Sequence, residues 1–100
     1  ARMLRKMQGE RRVQELERAV KATEWNIANR NVQMQNEFAA LRQLKGSAKN
    51  NLAGATWEQS LSTEMQAVAT KYKSLNDADQ ERLKILRSDL ADAKQALVKP

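Results

Sequence analysis

Val13, Val20, Ile27, Met34 and Leu41 stand at seven-residue intervals. Seven residues make about two helical turns, so a helix here aligns all five, with Leu16 and Phe38 beside them. No Gly or Pro interrupts the chain from Glu10 to Leu44. The second heptad position is less faithful, because Leu16 is followed at the same spacing by Thr23, Arg30 and Glu37. A strict two-stranded zipper keeps both positions apolar, so the row reads as the inner seam of a hairpin. Four Asn (Asn26, Asn29, Asn31 and Asn36) crowd the middle of this helix. Asn31 falls on or beside the stripe, where it either fixes register by pairing with a polar group or sits in solvent at the edge.

The one clear interruption is residues 45–56, KGSAKNNLAGAT. Gly46 follows Leu44 and Lys45, as at a helix C-terminus, and Thr56 and Gln59 have the spacing of a capping box. The spacing therefore predicts helices over about 3–44 and 57–98. On the second, Trp57, Leu61, Met65, Val68, Tyr72 and Leu75 share a face, and Leu83, Leu86, Leu90, Ala93 and Leu97 continue at the same helical steps. Between these runs, Asn76-Asp77-Ala78-Asp79 resembles a helix start, so residues 74–77 are a candidate kink or break. Against a break, Leu75 and Leu86 are eleven residues apart, close to three full turns. The expected fold is all-α, a long antiparallel helical hairpin in one domain, with a three-helix bundle as the alternative. A composition with one Pro, three Gly and four aromatic residues in 100 argues against a β-sandwich or barrel.

The predicted intramolecular seam comprises Val13, Leu16, Val20, Ile27, Met34, Phe38 and Leu41. These face Leu61, Met65, Val68, Tyr72, Leu86, Leu90 and Leu97 on the second arm. Trp25, Val32 and Ala39 form another row of sevens that points away from the seam, and Met7 projects to the same side. A two-helix hairpin leaves that side wet, which makes these four residues the candidate partner surface.

The net charge of +6 is concentrated. Arg2, Arg5, Lys6, Arg11 and Arg12 oppose only Glu10 in residues 1–12, and Lys45 and Lys49 supply the rest, while the helical bodies are balanced. The first dozen residues read either as the basic first turns of the helix or as an amphipathic arm for an anionic surface. The five basic residues are candidate anion contacts.

With no Cys and no His, the chain has no thiolate nucleophile, imidazole base or usual zinc ligand. The carboxylate pairs Asp77/Asp79, Asp89/Asp92 and Glu15/Glu17 lie among bases and read as surface charge balance. A calcium loop starting at Asp77 fails, with Arg82 where Gly is needed and Ser88 where Glu is needed. No catalytic, metal or cofactor site is predicted. The expected function is a non-enzymatic protein–protein interaction or assembly module, of structural, chaperone or adaptor type. Its partner is a second copy or another protein's helix. Nucleic-acid binding through the basic cluster is the first alternative and membrane-surface docking by residues 1–12 the second. No apolar run approaches the ~20 residues of a membrane span. A soluble chain is expected, with no signal peptide visible. The start at Ala1 fits processing or a fragment, and the sequence does not assign a compartment.

Overall fold

The computed structural model describes residues 1–48 and 54–99, and the side chains of residues 1–44 and 56–99. It is an all-α helical hairpin: α1 spans Arg2–Ala48 and α2 spans Gly54–Val98, and the two pack against each other. Neither helix contains an interior Pro, and Ala, Leu, Gln, Lys, Arg and Glu supply most positions, so propensity favours helix throughout. Both helices are longer than the spacing predicts. α1 continues through Gly46, and α2 begins at Gly54 rather than after Thr56. The local cap signals at Gly46 and Thr56 therefore fall inside helices, and the rest of the expected loop lies outside the described residues.

The candidate break at 74–77 is not present, since α2 runs unbroken from Tyr72 to Leu83 and beyond. Nor, among the described residues, is there a third helix. Asn76 has the chemistry of a cap but uses its side chain to bond Arg30 and Asn31 of α1 instead. Leu75, placed on the inner face by the spacing, is 46% exposed, and Asn76 and Asp79 are the half-buried residues of that stretch.

The chain divides into two compact units, each built from a piece of both helices. The first joins Ala1–Ile27 to Ala78–Pro100. Its core is Leu16, Val20 and Leu83, with Thr23 buried among them. Val13, Ile27, Leu86 and Leu90 are half-buried around that core. The second unit is Ala28–Asp77. Among its described residues Tyr72 alone is buried, with Met34, Phe38, Leu41, Leu61, Met65 and Val68 half-buried. Among the described residues no side chain is less than 2% exposed. A pair of helices encloses only the strip where they touch, so apolar side chains are covered on one flank and wet on the other.

Gly9 marks a close approach in the first unit. A Cβ placed there would lie 2.6 Å from Leu97 Cδ2. Leu97 thus rests against bare backbone. At this contact with α1 Leu97 is 36% exposed.

Two substitutions test this description by chemical denaturation. Asp77→Pro would be tolerated if a helix began after Asn76, because Pro suits the first helical position. In the continuous α2 it removes a hydrogen bond and clashes with the carbonyl of Lys73, and it should cost about 3 kcal/mol or more. Gly9→Ala gains about 1 kcal/mol of helix propensity and has only the far end of a flexible, exposed Leu97 to displace, so the unfolding midpoint should rise.

Candidate interaction surfaces

The heptad position that lapses from apolar character, Leu16–Thr23–Arg30–Glu37, is an inward-facing row. Leu16 and Thr23 are buried, and Arg30 and Glu37 are half-buried. Each polar member is accommodated differently. Thr23, 3% exposed, donates its hydroxyl hydrogen to the Ala19 carbonyl at 2.8 Å, the back-bond that lets a hydroxyl enter an apolar core. Arg30 reaches across the second unit, its Nη1 donating to Asn76 Oδ1 at 3.2 Å and to the Leu75 carbonyl at 3.3 Å. A carbonyl oxygen has two lone pairs, so Leu75 accepts this bond without leaving its helix. Glu37 accepts both its contacts from Lys71 Nζ, at 3.1 and 3.2 Å. That ammonium also sits 4.7 Å from the centroid of the neighbouring Tyr72 ring, in cation–π range. Among the described residues, no buried side-chain polar atom lacks a partner.

A flanking row carries a second set of cross-helix contacts at positions Glu17, Glu24 and Asn31, again seven apart. In the first unit Glu17 faces Lys94 at 3.8 Å and Glu24 faces Arg87 at 4.0 Å, the partners also being seven residues apart. In the second unit Asn31 Oδ1 accepts from Asn76 Nδ2 at 3.1 Å. Asn31 thus combines both expectations, being exposed at the seam's edge and paired with a polar group. Ion pairs this exposed are worth at most about 1 kcal/mol each. Their effect is selective: sliding one helix by a residue separates every pair at once. Lys73 and Asp77, one turn apart on α2, pair at 2.7 Å. The hydrogen bond to Asp77, and then its negative charge, raise the Lys73 ammonium above its ordinary pKa.

Of the candidate partner residues, Trp25 is 65% exposed, and Met7, Val32 and Ala39 are exposed as well. Met7 and Trp25 belong to the first unit, Val32 and Ala39 to the second. Met3, Leu4, Ile85 and Val98 are further large apolar side chains left in water in the first unit. The sequence pattern did not single out Ile85, because it lies off both apolar rows. The five candidate anion contacts, Arg2, Arg5, Lys6, Arg11 and Arg12, are all exposed, and none has an ion pair among the described residues. Leu83, Thr23 and Arg30 are inward residues missing from the predicted seam. Leu83 continued the apolar steps on α2, and the other two held the heptad position of Leu16.

Among the described residues no group of three or more Asp and Glu side chains could hold a metal ion, and no helix is long and apolar enough to cross a membrane.

The polar contacts of the second unit can be checked with a double-mutant cycle on Asn31→Ala and Asn76→Ala. Each single change should destabilise by about 0.5–1 kcal/mol, Asn76 more because it also serves Arg30. A positive coupling energy is expected for the pair.

No known protein family matches the chain, and no curated protein or solved structure shows significant similarity to it.

Proposed function

We propose that this chain is a non-enzymatic helical interaction module whose primary partner is a second copy of itself. The observation that carries the reading is the balance of covered and uncovered apolar side chains. Among the described residues four large apolar side chains are buried and none of them completely, while Met3, Met7, Trp25, Val32, Ile85 and others remain exposed. Covering one large apolar side chain returns about 1.5–3 kcal/mol, whereas ordering each residue costs about 1.5. A hairpin with so little covered surface is marginal alone, and a second layer against its wet side supplies what the seam does not. Trp25 is the natural anchor, because a large, exposed indole has the most to gain from burial and has an N–H to place at the rim. A helix of another protein could occupy the same side by the same physics.

The absence of His and Cys from the sequence, and carboxylate pairs that lie among bases, support a binding role over catalysis.

Light scattering during size-exclusion chromatography should show a dimer or larger species, with a melting temperature that rises with protein concentration. Trp25→Ala should weaken association tenfold or more, about 1.4 kcal/mol. A monomer that persists at ~100 µM and melts cooperatively would overturn self-association, since it limits the net binding free energy to less than about 5.5 kcal/mol.

A further inference from the structure

We propose that residues 2–12 of α1 form a docking surface for an anionic lipid membrane. Met3, Leu4 and Met7 are 76%, 59% and 58% exposed. Their spacing places them on one side of α1, the side opposite Leu16 and Val20, so it can be approached without opening the hairpin. Arg11 shares that side and Lys6 and Arg12 flank it, whereas Arg2 and Arg5 lie toward the side that faces α2, from which their long side chains must reach around the helix; Glu10 is the one acid of the segment. None of the five cations is engaged in an ion pair among the described residues. An open cleft of about 740 Å³ brings Arg2, Arg5 and Lys6 together with Lys99 of the other arm, and among the described residues no acidic side chain lines it.

Two kinds of group therefore lack a complement in the same three helical turns: large apolar side chains and unpaired cations. The interface of an anionic membrane satisfies both. Headgroup phosphates and carboxylates lie at the level that long Arg and Lys side chains reach, and the acyl boundary lies just beneath for Met and Leu. A nucleic acid would satisfy the cations and leave Met3, Leu4 and Met7 in water, and residues 2–12 contain no aromatic ring on which a base could stack. A second copy of this chain carries as many bases as acids along its helical bodies, so it brings no net negative charge to neutralise the five cations.

The experiment is co-sedimentation of the full chain with phosphatidylcholine vesicles, with and without phosphatidylserine, at low and high salt. Binding should require phosphatidylserine and weaken as salt rises. The triple variant Met3→Ser, Leu4→Ser, Met7→Ser and the triple variant Arg2→Gln, Arg5→Gln, Lys6→Gln should each lose about tenfold or more in partitioning. All six positions are exposed, so circular dichroism should show unchanged helicity in both variants. Three outcomes would overturn the proposal. One is no phosphatidylserine-dependent binding. Another is undiminished vesicle binding by the serine variant, which would reduce the surface to charge alone. The third is binding to random-sequence RNA or DNA that is tighter than binding to vesicles and unaffected by the serine changes.

Discussion

When two helices pair with no third layer, each can hide only the narrow strip that faces the other. In the first unit that strip holds Leu16, Val20 and Leu83, and the buried Thr23 is tolerated because its hydroxyl turns back onto the Ala19 carbonyl. In the second unit the strip is more polar: Tyr72 is buried, but Arg30, Glu37 and Asn76 take inward or edge positions. Non-directional burial would let α1 and α2 slide by a turn at small cost. The polar contacts do not, because Arg30 needs Asn76, Glu37 needs Lys71, and Glu17 and Glu24 need Lys94 and Arg87. Apolar contact gives adhesion, and the polar rows give register.

That division of labour explains what could be read from the sequence and what could not. The seven-residue row from Val13 to Leu41 predicts a long helix with an inward side, and the matching steps on the second half predict its partner. The apparent lapse at Thr23, Arg30 and Glu37 was harder to interpret, because a polar residue at a seam position looks like solvent exposure until its partner is known. Those partners are 34 to 46 residues away for Arg30 and Glu37, and no local pattern announces them. The same blindness produced the candidate kink or break at 74–77. Asn76-Asp77-x-Asp79 has the residues of a helix start, and local chemistry alone cannot tell a cap from a side chain bonded to Arg30 and Asn31. Tertiary pairing overrode the cap signal, and the eleven-residue step that favoured a continuous helix was the better guide. Gly46 and Thr56 misled for a related reason: each is compatible with a terminus without requiring one.

The candidate surfaces were legible to a different degree. A helix that shows one side to its partner must show another to water, so the exposure of Met7 and Trp25 follows from the position of Leu16 and Val20 on the same helix. The unpaired state of the basic cluster follows from charge segregation, since a single Glu10 cannot neutralise five cations. Exposure, however, names no partner. What separates the possibilities is the chemistry sharing each patch: an aromatic in one row with Met7 and Val32 at Trp25, and aliphatic side chains within the most basic segment of the chain at residues 2–12.

Both proposed contacts use the outward side of α1 in the first unit, and that has an energetic consequence. A ligand that had to displace α2 would bind against the free energy of folding, and its affinity would be reduced by the rarity of the open state. A ligand that covers Met7 or Trp25 leaves the packing of Leu16, Val20 and Leu83 untouched, so binding and folding reinforce each other by mass action. On the proposed reading the thin seam holds two helices in register and presents a defined outer side, and association at that side would add to the stability of the fold.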